Sequence, residues 1–423
     1  MTVLAPTTPD AVVRAIEPGS TVIVPIANGE PVDVLDAIEA HAPRLEAVTI
    51  HQMHSLHDRP YLHGAHRGHL DHVSYFLSEI TRPAFHAGTI DLVPAHFSEV
   101  PTLLARRPGP KLVVAACSMP DRHGYVSLGT NADYTASFIG RVPFFVEANP
   151  HMPRTFGRNQ IHLNQTIGWT QVERPLFEVP PAQPDDVDCR IAHFVVARIP
   201  DGATIQVGIG RIPNAILRFL ADRRDLGIHT ELLSDGAVDL IESGVVNGVH
   251  KHRRPGKVVT TFCLGTQRLY DFLHENPVVE LLPVDWVNDP RIIGTEPNFV
   301  SINATTEVDL LGQCASETIA GKYWSGSGGQ ADFARGAMFA ENGRAFIVLR
   351  STASTGRSRI VARLTPGSVV TTVKNTVDHV VTEHGIASLR GRSVRERTRA
   401  LIAIADPSSR ERLERDALEL GYL

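Results

Sequence analysis

The sequence predicts an α/β protein made of two similar domains, each with a mostly parallel sheet. Short β-branched runs such as 21–26 alternate with apolar-periodic segments such as 31–35, at the spacing of βαβ units. The same alternation begins again at 203, after a proline-rich segment. In addition, 423 residues are too many for one ordinary core, because single cores stop growing beyond about 250–300 residues.

Composition and charge exclude several classes of protein. Apolar residues make up 43% of the chain and charged residues 21%, which is ordinary for a globular protein. A net charge of −5 gives no reason to expect nucleic acid or a membrane as the main partner. No apolar run reaches the ~18 residues of a bilayer span, and the first ten residues lack the features of a signal peptide. We therefore expect a cytoplasmic protein whose four cysteines are reduced and mostly buried.

The first half predicts one early helix and a series of strands. The helix opens at 31–35, directly after the Asn28-Gly29 break. Strand, helix and strand at this spacing favour a parallel sheet covered on both faces. The predicted strands are 21–26, 45–50, 90–93, 111–116, 125–128 (a return strand after a tight turn) and 143–148.

Seven histidines follow the second predicted strand at intervals of three, with one gap of six. A metal site is the sharper hypothesis. Against it, Pro60, Gly64 and Gly68 interrupt any single helix, and no cysteine pair or HExxH motif accompanies the histidines. We expect a surface or pocket-lining loop and no metal. The seven are His51, His54, His57, His63, His66, His69 and His72.

The segment 175–188, PLFEVPPAQPDDVD, holds four prolines and ends in acidic residues, which is typical of a linker. It predicts two domains, 1–184 and 185–423, with the active site in the cleft between them. In the second half the predicted strands are 203–207, 257–264, 278–284, 299–311 (with a turn), 345–349, 360–364, 369–373 and 379–382. The predicted helices are 213–224, 237–243, 266–275, 393–405 and 408–420.

The stretch 229–236, HTELLSDG, carries the most promising chemical group. A carboxylate such as Glu231 is ionised at neutral pH (reference pKa ~4.3), so it can attack a thioester without a general base. It needs donors for the oxyanion, and the Gly-rich loop 325–330 and Asn288, which we predict to end a strand, are candidates. Taken alone, a glutamate in a strand-end turn is more often a surface or capping residue. The motif GIGRIP (208–213) lacks the third glycine of a dinucleotide fingerprint.

Several ordered motifs together resemble the acetyl-CoA hydrolase/transferase family, specifically its 4-hydroxybutyrate CoA-transferase branch. They include GIGRIPNAI, HTELLSDGAVDLIESGVV, SGSGGQADFARGA and VVTEHGIASLRGRSVRERTRALIAIADP, with SMPDRHGYVSLG and NPHMPRTFGRNQIH in the first half. The resemblance covers nearly the whole chain and is most specific over 203–410. One departure is Met119, where the family usually has proline.

The resemblance implies a CoA-transferase (NagB/RpiA-like) fold and a role for each matching residue. Glu231 matches the glutamate that forms an acyl–glutamyl anhydride and then a glutamyl–CoA thioester. Gly328 or Gly329 matches the backbone donor to the oxyanion, and Asn288 matches a side-chain donor.

Further matches concern CoA and the cleft. Gly208 and Gly210, together with Gly326 and Gln330 of the SGSGGQ loop, match positions near CoA. Glu383 matches a second glutamate near the cleft, with a structural role as the alternative. Glu307 and Asp309 rank behind these residues, as strand and turn architecture.

The function implied is ping-pong transfer of CoA between a short-chain acyl-CoA, such as acetyl-CoA, and a small carboxylate, such as 4-hydroxybutyrate. CoA is itself the substrate, and we expect no tightly bound cofactor, no metal, and a homodimer or dimer of dimers. One alternative is an acetyl-CoA hydrolase that uses the same glutamate and admits water. A second is a non-catalytic regulatory module that binds CoA esters.

Overall fold

The computed structural model describes residues 4–423 and has the predicted α/β architecture with mostly parallel sheets. Residues 1–3, with which the first predicted domain begins, lie outside the described residues. None of the helices within 4–423 combines the length and the apolarity that a bilayer span requires. The four cysteines are free, and Cys117, Cys263 and Cys314 are buried, in agreement with the sequence prediction.

Short strands and helices make up the regular secondary structure of the chain. The first ten strands are β1 (Thr21–Ile23), β2 (Val48–His51), β3 (Leu70–Ser74), β4 (Asp91–Leu92), β5 (Lys111–Cys117), β6 (Tyr125–Ser127), β7 (Phe144–Ala148), β8 (Phe156–Gly157), β9 (Gln160–His162) and β10 (Gly168–Gln171). The later strands are β11 (Thr204–Val207), β12 (Gly227–Leu233), β13 (Val258–Cys263), β14 (Val279–Leu281), β15 (Phe299–Ala304), β16 (Glu307–Asp309), β17 (Cys314–Ala315), β18 (Thr318–Ile319), β19 (Lys322–Tyr323), β20 (Arg344–Val348), β21 (Ile360–Val361), β22 (His379–Thr382) and β23 (Gly385–Ser388). The α-helices are α1 (Val32–Ala40), α2 (Thr81–His86), α3 (Val100–Arg106), α4 (Asp186–Val196), α5 (Arg211–Phe219), α6 (Asp235–Glu242), α7 (Gln267–Leu273), α8 (Val284–Val287), α9 (Pro290–Ile293), α10 (Gln330–Phe339), α11 (Val394–Ile404) and α12 (Pro407–Glu419).

The chain forms two compact units that are not contiguous in sequence. The first runs up to Pro180 and regains Val259–Val287, and the second consists of Pro181–Val258 and Asn288–Leu423. The chain therefore leaves the first unit inside the proline-rich segment. The two contiguous domains 1–184 and 185–423 stay a prediction.

The first unit is built on a seven-stranded sheet in the order β10-β7-β5-β1-β2-β3-β4. Every neighbouring pair in it is parallel. Six of the seven residues of β5 are buried, because a parallel strand covered on both faces reads as a nearly continuous apolar run. The same unit contains β13, except for its first residue, and β14, which pairs in parallel with β8.

The largest set of paired strands in the second unit has six members, in the order β23-β22-β20-β15-β11-β12. All the pairs are parallel except the closing β22–β23 hairpin. The two closing helices, α11 and α12, are present as predicted. α11 starts with a capping box, in which Glu396 N–H donates to Ser393 Oγ at 3.3 Å and Ser393 N–H donates to Glu396 Oε2 at 2.8 Å.

The structure corrects three local predictions. Residues 369–373 do not form a strand, since Thr372 makes only an isolated bridge with Cys314. The acidic end of the predicted linker begins a helix, because the Asp185 carboxylate accepts from the backbone N–H groups of Val187 and Asp188 and so caps α4. Asn288 does not end a strand; it directly follows the short helix α8.

Candidate active site around Glu231

Glu231 lies inside β12, third from its end, and not in a turn after a strand as the sequence suggested. Six of the seven residues of β12 are buried, while Glu231 itself is partly exposed. The strand runs parallel to β11, with Thr204 opposite Gly227. Glu231 thus stands near the carboxyl end of a parallel strand, which is where ligand sites gather in open α/β sheets.

Two donors from different segments meet the Glu231 carboxylate. Asn288 Nδ2 donates to Glu231 Oε2 at 2.7 Å, and the backbone N–H of Gly329 also donates to the carboxylate. The Asn288 side chain is fully buried, so its amide is held within the packed interior. The pair resembles an oxyanion hole in its donor chemistry, with one side-chain amide and one backbone amide.

The electrostatics of the site oppose ionisation of Glu231. Burial, with a smaller contribution from the Asp332 carboxylate, raises the pKa of its carboxyl group to about 7, although the hydrogen bonds from Asn288 and Gly329 act in the opposite direction. Near neutral pH the group is therefore divided between the acid and the carboxylate. A less solvated carboxylate is a stronger nucleophile than one in water, provided that it is ionised.

Gly329 approaches the carboxylate more closely than any other residue type could. A Cβ atom at this position would lie 2.0 Å from Glu231 Oε2 and 2.3 Å from Asn288 Nδ2. The backbone φ of −98° is accessible to all residues, so the requirement for glycine is one of space. Of the two glycines that the sequence left open, Gly329 is the one whose N–H reaches Glu231. Gly328, with a φ of +52°, turns the loop that leads to it.

Aromatic stacking holds the segment of Gly329 beside β12. Gly329 is the N-cap of α10, and the Phe333 ring of that helix stacks on Phe299 of β15 at 6.3 Å between centroids. Phe299 in turn meets His229 of β12 edge to face at 6.2 Å. These contacts link three elements, and Glu231 lies two residues after His229 on the same strand.

Sequence reasoning missed Asp332. It is the third residue of α10 and is only 4% exposed. The sequence offered a signal, since an acid sits three residues after Gly329 in the GGQAD segment. However, acidic residues are common in first helical turns for dipole reasons alone.

The remaining predicted site residues have their described contacts elsewhere. Gln330 Nε2 donates to Thr372 Oγ1 at 3.1 Å, and Gly326 is buried in the loop before α10. Gly208 is partly exposed at the end of β11, and Gly210, with a φ of +125°, is the N-cap of α5.

The other carboxylates singled out by the sequence stabilise loops. Glu383 Oε2 accepts from Ser351 N–H at 2.9 Å, and its Oε1 accepts from Ser351 Oγ at 2.7 Å. Glu307 accepts from Thr365 N–H at 2.9 Å. Asp309 accepts from Gln313 N–H at 2.8 Å. These bonds fix turns of the second unit, in line with the architectural role ranked for Glu307 and Asp309.

The histidines of 51–72 are held by separate partners. His51 Nδ1 lies 3.0 Å from Tyr75 OH, and His63 Nε2 lies 2.7 Å from Asp58 Oδ1. His72 is stacked on a tyrosine ring. Among residues 4–423, no group of three or more His, Cys, Asp and Glu side chains is arranged to hold a metal ion.

Comparisons with known proteins agree with this architecture over the full chain. The N-terminal domain of acetyl-CoA hydrolase/transferase matches residues 7–193, and the C-terminal domain matches 265–417. The chain is 41% identical to a 4-hydroxybutyrate coenzyme A transferase of Clostridium kluyveri, over 96% of this chain and 95% of that protein. It is 43% identical to a succinyl-CoA:cyclohexane-1-carboxylate CoA transferase of Geobacter metallireducens, over 100% of this chain and 96% of that one.

Among solved structures, RipA from Yersinia pestis superposes with a TM-score of 0.93 at 34% identity, covering 99% of this chain and 98% of RipA. An acetyl-CoA hydrolase of Yarrowia lipolytica matches over a shorter length, with 34% identity over 51% of this chain and 41% of the hydrolase. The chain belongs to the acetyl-CoA hydrolase/transferase family, and its fold is that of the CoA-transferases in it. The predicted family and fold class are confirmed.

Proposed function

We propose that this chain is an acyl-CoA:carboxylate CoA-transferase that uses Glu231 as a covalent nucleophile. The observation that carries the proposal is the pair of donors, Asn288 Nδ2 at 2.7 Å and the Gly329 N–H, on one carboxylate. The relatives from Clostridium kluyveri and Geobacter metallireducens, which match over 96% and 100% of the chain, are named CoA transferases, whereas the Yarrowia lipolytica hydrolase matches about half of it. The comparison with these relatives favours transfer over hydrolysis.

The first half-reaction proceeds in two displacements. A carboxylate oxygen of Glu231 attacks the thioester carbon of the acyl-CoA, the C–S bond breaks, and CoA leaves as the thiolate with the electron pair. The thiolate then attacks the Glu231 carbonyl carbon of the mixed anhydride. The bond from that carbon to the bridging oxygen breaks and releases the first carboxylate. Glu231 is left as a glutamyl–CoA thioester, and a second carboxylate reverses these steps to leave as the new acyl-CoA.

Each attack on the Glu231 carbonyl builds negative charge on its oxygen. Asn288 Nδ2 and the Gly329 N–H already point at an oxygen of this group, so they are preset to stabilise that charge. A single such donor contributes about 10²–10³-fold to the rate of an acyl transfer. The same two donors therefore serve the anhydride and the thioester steps.

The substrates we propose are a short-chain acyl-CoA, such as acetyl-CoA, and a small carboxylate such as 4-hydroxybutyrate. CoA enters and leaves as a substrate, and the reaction requires no tightly bound cofactor. Backbone groups of Gly208, Gly210 and Gly326, together with Gln330, are proposed CoA contacts. Homo-oligomeric assembly and a cytoplasmic location stay predictions.

The decisive experiment is mass spectrometry after incubation with acetyl-CoA. The protein is trapped with borohydride or hydroxylamine, digested, and searched for modification of the peptide that contains Glu231. We expect modification of wild type and none of Glu231→Gln. Glu341→Gln, a change of an exposed glutamate in the same unit, is the matched control and should behave as wild type. Modification that persists in Glu231→Gln would rule out Glu231 as the nucleophile.

The fate of the glutamyl–CoA thioester distinguishes a transferase from a hydrolase. A transferase releases little free CoA with or without an acceptor such as 4-hydroxybutyrate, because the carboxylate that resolves the thioester leaves as the new acyl-CoA. A hydrolase releases CoA continuously from acetyl-CoA alone. If free CoA is released without an acceptor as fast as CoA is transferred to one, the proposed activity becomes hydrolysis instead of transfer. Absence of any Glu231 adduct while CoA esters still bind would instead favour a binding module.

A further inference from the structure

We propose that Thr372 is a positioning residue for CoA transfer: its buried hydroxyl, acting through the side chain of Gln330, fixes the backbone N–H of Gly329. The inference rests on the proposed role of that N–H as a donor to the oxyanion on Glu231. It concerns a residue outside the motifs that pointed to the site. Thr372 lies in the segment 369–373, for which the sequence wrongly predicted a strand.

The hydrogen bond that carries the inference begins at the residue directly after Gly329. Gln330 is the first residue of α10, and its Nε2 donates to Thr372 Oγ1 at 3.1 Å. Both side chains are buried. If the hydroxyl is removed, the buried amide loses its acceptor, and a buried donor without a partner is costly. The Gln330 side chain then has to move, and Gly329 is its immediate neighbour in the chain.

A small movement at Gly329 is enough to disturb the site. A Cβ atom built on Gly329 would lie 2.0 Å from Glu231 Oε2 and 2.3 Å from Asn288 Nδ2, so the backbone is already in close contact with both groups. A displacement of about 1 Å at a reacting group can lower a rate by about 10²-fold. The bond between Gln330 and Thr372 therefore restrains the part of the loop where position matters most.

The other end of the Gly-rich loop 325–330 is fixed to a neighbouring part of the same support. The Ser325 N–H donates to the Glu317 carbonyl at 3.2 Å, and Ser325 Oγ donates to the Ser316 carbonyl at 3.3 Å. The Ser316 N–H in turn donates to Thr371 Oγ1 at 2.9 Å. Both ends of the loop are thus bound to two adjacent segments, 314–317 and 371–372.

Thr372 is itself held rigidly, so its hydroxyl can act as a fixed point. The Thr372 N–H donates to the Cys314 carbonyl at 3.2 Å, and the Cys314 N–H donates to the Thr372 carbonyl at 3.1 Å. Cys314 begins β17 and belongs to the hydrophobic core of the second unit. A threonine side chain is also stiff about χ1. An oxyanion donor is most effective when its position is set before the reaction, and this support sets it.

Two other interpretations of the bond predict different results. If the bond only stabilises the fold, its loss lowers the melting temperature and leaves the acylation rate of the folded protein unchanged. If the Gln330 side chain binds CoA equally in the ground state and the transition state, its displacement raises the half-saturating concentration of acetyl-CoA. A donor that acts on the transition state instead lowers the maximal rate and leaves the half-saturating concentration unchanged.

The test compares Thr372→Val, which removes the hydroxyl and keeps the shape, with Thr372→Ser, which keeps the hydroxyl. Single-turnover formation of the glutamyl–CoA adduct is measured over a range of acetyl-CoA concentrations and of pH. We expect Thr372→Val to lower the maximal rate by about tenfold, less than the about 10²–10³-fold of losing one donor completely. A weaker hydrogen bond from Gly329 raises the pKa of Glu231, so the pH midpoint of acylation should also rise. Thr372→Ser should regain most of the rate and the wild-type midpoint.

Thr398→Val is the matched control for loss of a buried threonine hydroxyl in the same unit. Thr398 is fully buried on α11, and its hydroxyl donates to the Leu310 carbonyl at 3.3 Å. We expect this variant to have a lower melting temperature, as Thr372→Val should, but the wild-type rate and midpoint of acylation. Equal losses of rate in Thr398→Val and Thr372→Val would overturn the inference.

The outcomes separate this inference from the proposed function. If wild type forms no adduct, the covalent role of Glu231 fails. If wild type forms the adduct and Thr372→Val acylates at the same maximal rate, only the role of Thr372 is overturned. Equal losses in Thr372→Val and Thr372→Ser also overturn it, since the hydroxyl would then not be the cause. If Thr372→Val does not fold, Gln330→Met removes the donor of the same bond and should show the same fall in rate and rise in midpoint.

Discussion

Replacing Gly329 with alanine is the sharpest steric test of the site. The added Cβ would stand 2.0 Å from Glu231 Oε2 and 2.3 Å from Asn288 Nδ2, whereas ordinary contact begins near 3.4 Å. The carboxylate or the helix start must therefore move by more than about 1 Å, a displacement that can lower a rate by about 10²-fold. Because φ is −98° at this position, alanine adds no backbone strain. Overpacking of this kind costs about 1–3 kcal/mol of stability.

The assay is the single-turnover rate of glutamyl–CoA formation from acetyl-CoA, with the melting temperature measured in parallel. Gly336→Ala is the matched control on the same helix, because its Cβ would meet Ile293 Cγ2 at 2.4 Å, away from the carboxylate. We expect both variants to be destabilised and Gly329→Ala to lose about 10²-fold more acylation rate than Gly336→Ala. A Gly329→Ala protein that acylates at the wild-type rate would refute the assignment of the oxyanion donor.

Three other predictions concern the same site, and a fourth concerns the histidines of 51–72. Asn288→Ala should lower the rate of acylation by about 10²–10³-fold through loss of one donor, and an unchanged kcat in steady-state exchange would make Asn288 merely structural. The pKa of Glu231 is raised to about 7 from its usual 4.5, so acylation by wild type should rise with pH through 7. The folded state also holds a proton between pH 4.5 and 7 that the unfolded state has lost, so its stability falls as pH rises through this window. The stability of Glu231→Gln relative to wild type should therefore increase from about pH 5 to about pH 8, by about 1.4 kcal/mol per unit by which the pKa is raised. An equal difference in melting temperature between the two proteins at both pH values would contradict this. Prolonged dialysis against EDTA should leave exchange activity unchanged, and a loss restored by added zinc would revive the histidines of 51–72 as a metal site.

The sequence predicted the sheets well because their strands are buried on both faces. β5 appears as a short apolar run, since neither face of the pleat meets water. β12 was not predicted, because polar residues at 229–231 interrupt its apolar pattern. The sequence did not predict α10, because Gly336 lowers its helix propensity. Only the structure shows that this glycine is required by close packing on Ile293. Residues 369–373 were wrongly predicted as a strand because they are all β-branched, but the segment does not pair along its length with a neighbouring strand.

The site itself was predictable only in part. The HTELLSDG motif pointed to Glu231, but the resemblance to a family supplied its role. The choice between Gly328 and Gly329 depends on how α10 begins, a backbone detail that no spacing reveals. Asp332 escaped because a first-turn acid has an ordinary explanation as a partner of the helix dipole.

The discontinuity of the first unit has a consequence for how the protein is made. β8 pairs with β14 through Glu280 and Leu281, which are synthesised only after the whole segment Pro181–Val258 of the second unit. Contacts so distant in sequence form slowly. A nascent chain that ends before Val258 therefore carries a first unit without β13 and β14, and a gene divided at the proline-rich segment would separate strands that belong to one core. Biosynthesis of this protein should therefore depend on protection of that incomplete first unit from aggregation until β13 and β14 have been synthesised.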